Sequence, residues 1–177
     1  MSKRNITIII LICIAALIMF VSNRTDKDDL QKKDYLLKKI NFNNIKSITI
    51  KNYVDKGFTL KKNDKGEWFI DNTDKICNKY RIEYLVNLLR DTEFNNIISD
   101  NKDKYSTFNV DEKNAIKVKI KTGKETINIW IGKFTPDGNG CYVRLANGNV
   151  YIVTKNLTFE FDKKRQYFYL KKNTGAK

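Results

Sequence analysis

The spacing of apolar residues divides this chain into blocks of different period. Residues 6–21, ITIIILICIAALIMFV, form an unbroken uncharged run preceded by Lys3 and Arg4. It lacks the polar stripe of a helix lying on a soluble core. At 1.5 Å per helical residue it reaches roughly 24 Å, a little short of a hydrocarbon core of about 30 Å, so its Asn and Ser flanks complete the span. Residues 22–44 are a charged connector in which Leu30, Leu36, Leu37 and Ile40 mark one apolar side of a short helix, or else a stalk without fixed structure.

From Ile45 the period falls to two. Ile48 and Ile50 alternate with polar neighbours, Phe58 and Leu60 follow a break at Gly57, and Glu67–Asp71 follows the turn Asp64-Lys65-Gly66. This predicts a three-strand antiparallel meander. Ile82, Leu85, Val86 and Leu89 then recur at helical spacing, with Lys79, Glu83, Asn87 and Arg90 on the other side and Asn78 as N-cap. Phe94–Ser99 reads as a short strand. Residues 100–114 read as a polar loop pinned by Tyr105, Phe108 and Val110.

Alternation returns most regularly at Ile116, Val118 and Ile120, against Lys117, Lys119 and Lys121, and continues through Ile127, Ile129 and Ile131. After a turn-rich stretch, Gly132–Gly140, two runs flank Asn147-Gly148, the strongest short hairpin signal. The C-terminal LTFEFDKKRQYFYLKK is a final helix or strand. The chain is therefore expected to be α+β, a mainly antiparallel sheet packed on one principal helix and preceded by a single N-terminal transmembrane helix. The expected divisions are an anchor over 1–21, a connector over 22–44 and an extracytoplasmic domain over 45–177.

Charge and cysteine usage sharpen the location. Lys3 and Arg4 favour a cytoplasmic N-terminus and place the chain beyond the apolar run outside the cytoplasm, as a single-pass protein of the cell membrane. A cleaved signal peptide competes with a retained anchor, but bulky Phe20 stands where cleavage wants a small residue. Cys13 follows Ile12 in mid-run, unlike a lipidation site. The formal net charge is +14 and the sequence has no histidine. Export and the dispersal of the lysines along the chain argue against a nucleic-acid partner. Cys77 and Cys141 either pair or serve as two small buried hydrophobes.

No constellation of catalytic residues emerges. Without histidine there is no Ser–His or Cys–His nucleophile, and phosphate loops, CxxC pairs and calcium-loop spacing are absent from the sequence. Carboxylate pairs such as Asp111 and Glu112 read as solvated. No enzyme activity, cofactor or metal is expected. The sharper feature is a face. With a turn at 122–125, Lys121 falls opposite Thr126, Lys119 opposite Asn128, and Lys117 opposite Trp130, close enough for a cation–π contact. Tyr142 and Arg144 share that phase if the next strand joins the sheet. Lys117, Lys119, Lys121, Trp130, Tyr142 and Arg144 thus mark a candidate surface for an acidic partner or anionic polymer. Alternatively the lysines protect a sheet edge while Trp130 packs beneath the C-terminal segment.

GEWFI at 66–70, YLVNLLRDTEF at 84–94, DKYSTFNVDEKNAIKVKI at 103–120, IWIGK at 129–133, CYVRL at 141–145 and NVYIV at 149–153 together resemble the domain-of-unknown-function family numbered 4340. The resemblance covers roughly 45–160, with Tyr105-Ser106-Thr107-Phe108 departing from the Tyr-Gly-Leu type segment usual there. It implies a membrane-anchored extracytoplasmic protein beside ABC-type transport systems of the gliding-motility kind, and it supplies no catalytic residues. The expectation is a non-enzymatic tethered interaction module, accessory to a transport or envelope complex and bound to a protein partner. The alternative is a binder of anionic envelope material, lipid headgroups or phosphate-containing polymer, through the Lys/aromatic face.

Overall fold

Alternating β-branched residues build one large sheet here because each strand has a single apolar face to bury. The structure, a computed structural model, describes residues 34–37 and 40–170, without the side chains of 95 and 96. The apolar run 6–21, Cys13 and Leu30 lie outside the described residues. No helix among the described residues is long and apolar enough to cross a membrane.

The strands are β1 (Asp34–Tyr35), β2 (Ile45–Lys51), β3 (Phe58–Lys62), β4 (Trp68–Ile70), β5 (Glu93–Ser99), β6 (Ile116–Thr122), β7 (Thr126–Phe134), β8 (Cys141–Leu145) and β9 (Val150–Val153). Their order is β1-β5-β9-β8-β7-β6-β2-β3-β4, with every pairing antiparallel. The meander β2-β3-β4 and the β8–β9 hairpin appear as the sequence predicts. Gly148, at φ +89°, supplies the positive φ that the hairpin turn needs.

Helix α1 (Lys79–Arg90) carries the chain from β4 at one edge to β5 near the other. The Asn78 side chain accepts from the Tyr80 N–H and caps it. Ile82, Leu85, Val86 and Leu89 are buried in one core cluster with Ile48, Ile50, Leu60, Ile116 and Ile120 of the sheet. Each such fully buried side chain contributes roughly 1.5–3 kcal/mol. The C-terminal segment joins the same layer as α2 (Leu157–Phe161) and a 3₁₀ turn (Arg165–Phe168). Leu157, Phe161 and Phe168 enter the core. Asn52 donates to the carbonyls of Phe161 and Lys163 at 3.0 and 2.8 Å. Arg165 pairs with Asp55 at 2.9 Å and holds that carboxyl below the usual carboxylate range.

Two boundaries differ from the sequence expectation. The folded unit takes in residues from Asp34 rather than from Ile45: β1 pairs with β5, and Leu36, Leu37, Ile40 and Phe42 are buried in the core. Phe42 stacks on Trp68 with ring centroids 5.7 Å apart. These four side chains therefore belong to the core of the domain instead of forming a separate helix or stalk. Strand β7 runs past Gly132 to Phe134, because an irregularity between Ile131 and Phe134 keeps it paired with β8. Cys77 and Cys141 are free and buried.

Candidate functional site

The face of the sheet turned away from α1 has two halves. On β6 and β7 the register is as the turn at 122–125 dictates: Lys117 opposite Trp130, Lys119 opposite Asn128, Lys121 opposite Thr126. Trp130 lies opposite Arg144 of β8. Strand β2 adds Lys51 opposite Lys117, Thr49 opposite Lys119 and Ser47 opposite Lys121. A trough of ≈ 330 Å³ lies here, lined by these lysines with Thr49, Asn128, Trp130 and Glu112.

Segment 100–114 covers the other half as a strap. Two 3₁₀ turns, Lys102–Lys104 and Ser106–Phe108, lead into Asn109 in the left-handed region at φ 56°. The Tyr105 hydroxyl donates to the Gly148 carbonyl at 2.6 Å. The Phe108 ring rests on Tyr142 with centroids 4.8 Å apart, and Val110 is fully buried. Glycine at 132 is what lets the strap close, since a Cβ there would collide with the Phe108 carbonyl oxygen and the Val110 side chain.

Arg144 is the pin. It is 9% exposed, and its guanidinium lies 3.7 Å from the Trp130 ring centroid and 4.7 Å from that of Tyr105. Its Nε donates to the Val110 carbonyl at 2.8 Å. Glu112 then closes the network: Oε1 accepts from Trp130 Nε1 at 2.7 Å and Arg144 Nη2 at 3.1 Å, and Oε2 accepts from Lys117 Nζ at 2.8 Å. The Lys117 hydrogen bond first, then Trp130 and Arg144, hold the Glu112 carboxyl below the usual glutamate range. A depressed folded-state pKa contributes stability above the usual glutamate range, lost as pH falls through the lowered value. Acidification below that range is therefore expected to loosen the strap and shift Trp130 fluorescence. Glu112→Gln should remove that acid-induced change; an unaltered titration would exclude Glu112 as its source.

The six residues singled out from sequence do share one face, but with unequal roles. The cation over Trp130 is Arg144, since Lys117 is drawn to Glu112 instead. Trp130 faces the strap, whereas the C-terminal segment packs on the opposite side of the sheet. Edge protection by the lysines does not describe β6, which lies between β2 and β7 in the interior of the sheet. Tyr142 and Arg144 are covered; Lys119 and Lys121 are exposed. Glu112 reads in the sequence only as a solvated acid, and Lys51 is not marked at all. Lys51 follows the alternation of Ile48 and Ile50 outward, a usable signal, but the β2–β6 pairing that brings it to Lys117 joins segments separated by β3, β4, α1, β5 and the strap. Burial pushes the Cys77 thiol up to about 11 and raises that of Cys141, so neither is a ready nucleophile. Among the described residues no group of three His, Cys, Asp or Glu side chains could hold a metal.

Fold and face together define an α+β domain with a helical layer on one side and a half-strapped lysine face on the other. The chain belongs to the family described as Domain of unknown function (DUF4340), whose profile matches residues 68–172. That span holds α1, the strap and β5–β9. Neither a curated protein nor a solved structure gives a match.

Proposed function

We propose that this protein is a non-enzymatic interaction module, tethered by residues 6–21 with its domain outside the cytoplasm, and accessory to an ABC-type transport or envelope complex. The observation that carries its binding chemistry is the open half of the sheet face. Lys51 and Lys117 lie directly opposite each other, a like-charge arrangement that destabilises a sheet unless counter-charge is supplied. Glu112 supplies it to Lys117. No ion pair among the described residues neutralises Lys51, Lys119 or Lys121, so a bound anion would.

The kind of anion depends on which residues remain open. Protein interfaces concentrate Arg and aromatic residues and are poor in Lys. Here Arg144, Trp130 and Tyr142 are committed to the strap, leaving lysines as hydrated point charges. That favours anionic envelope material, phosphate polymer or lipid headgroup, on this face. The test is retention of the purified chain on a glycerol-phosphate polymer, and on vesicles with and without anionic lipid, across a salt series. Lys51→Gln, Lys119→Gln and Lys121→Gln together are expected to weaken binding on the order of a hundredfold, at about 1 kcal/mol per lysine. Binding that ignores both salt and these changes would overturn the assignment of the face.

A further inference from the structure

The helical layer turns outward a set of rings that the core does not use. Tyr80 and Tyr84, one turn apart on α1, share a side of that helix and are 80% and 48% exposed. Phe159 of α2 is 62% exposed. These rings are joined into one patch by the residues between them. Tyr84 lies within electrostatic reach of Glu160 and Tyr167. Lys163 Nζ lies 3.5 Å from the Phe159 ring centroid and 5.8 Å from that of Tyr167. The Arg81 guanidinium lies 4.6 Å from the Tyr167 centroid. Ile76 and Leu170, both exposed, extend the patch, with the Leu170 N–H donating to the Ile76 carbonyl at 2.9 Å. Single exposed apolar residues are ordinary on a protein surface, but contiguous rings interleaved with Arg have the composition of an interface centre.

Charge and sequence narrow the occupant. Residues 171–177, KKNTGAK, contain no apolar side chain larger than alanine and do not themselves complement the rings. A second copy would bring +14 against +14, and a two-fold interface would set the same Arg81 and Lys163 on both sides. The rings are edged by Arg81 and Lys163, with Glu160 beside Tyr84; an apolar centre whose carboxylates meet the two cations and accept from the tyrosine hydroxyls, placed away from Glu160, complements them. We infer that the Tyr80–Tyr84–Phe159 patch docks an acidic, apolar-centred surface of a different protein. The inference rests on the reading of this chain as an interaction module and places its protein contact on the face opposite the lysines.

The experiment places a photo-crosslinking amino acid at Tyr80 of the full-length chain in intact cells and sequences the captured peptide. The expected result is an adduct with a different polypeptide, at a segment where Asp or Glu flanks aliphatic residues. Tyr84→Lys with Phe159→Lys should reduce its yield at least tenfold while the unfolding transition stays in place. Tyr84→Ser with Phe159→Ser serves as a milder pair. The Lys51, Lys119 and Lys121 changes to Gln should leave the adduct intact even where they abolish polymer binding, which separates this contact from that of the lysine face. Adducts only at twice the chain mass, adducts only with lipid, yields insensitive to the ring substitutions, or loss of the adduct in the lysine variant would each overturn the inference.

Discussion

Leu85→Asp is expected to leave no folded domain. Leu85 is 1% exposed and sits at the centre of the apolar side of α1, among Ile82, Val86 and Leu89. An ionised carboxylate there would be set among sheet isoleucines, leucines and buried aromatics. Burying it unpaired costs more than about 4 kcal/mol, against a total stability of roughly 5–15 kcal/mol for a domain of this kind. Circular dichroism and denaturant titration should show the cooperative transition lost, while Leu85→Met, which conserves volume, should cost less than about 1.5 kcal/mol. A variant with Asp at this position that still unfolds cooperatively at the wild-type midpoint would mean that α1 does not close the core.

Arg144→Ala is expected to cost about 3 kcal/mol and to free the strap without unfolding the sheet. The substitution removes the bond to the Val110 carbonyl, the charge opposite Glu112, and the guanidinium lying against the Trp130 and Tyr105 rings. Leaving a buried carbonyl without its donor and removing a side chain whose stem is packed account for most of that figure. Arg144→Lys should restore little, since an ammonium cannot serve Val110 and Glu112 at once from a planar fork. Amide exchange over 103–112 should accelerate, and Trp130 emission should shift to the red, while exchange in β2 and β6 stays slow. Unchanged protection in the strap would show that Tyr105, Phe108 and Gly132 hold it unaided.

The parts of this molecule legible in its sequence are those in which neighbours along the chain are also neighbours in space. Alternation at Ile116–Ile120 and Ile127–Ile131 fixed both strands, and the turn between them fixed a register that the structure reproduces pair for pair. The helix at Lys79–Arg90 was readable from its apolar spacing and from Asn78. Contacts across long sequence separations were not readable. Nothing local marks Asp34–Tyr35 as the partner of β5, or Lys51 as the neighbour of Lys117. Glu112 looked like a solvated acid because its three donors, Lys117, Trp130 and Arg144, belong to three different strands. Tyr80 and Tyr84 escaped notice because a helical stripe calls attention to the side it buries.

The pairing of β2 with β6 also governs the order in which the molecule can be assembled. After β2, β3 and β4 have been delivered, one whole flank of β2 stays unpaired until Ile116–Thr122 arrives, with α1, β5 and the strap made in between. During that interval Ile45, Ile48 and Ile50 stand on an uncapped hydrogen-bonding rim that invites strand addition from another chain. A chain interrupted anywhere before Ile116 therefore carries its most adhesive surface uncovered, so emergence of the final third is what makes the first third safe.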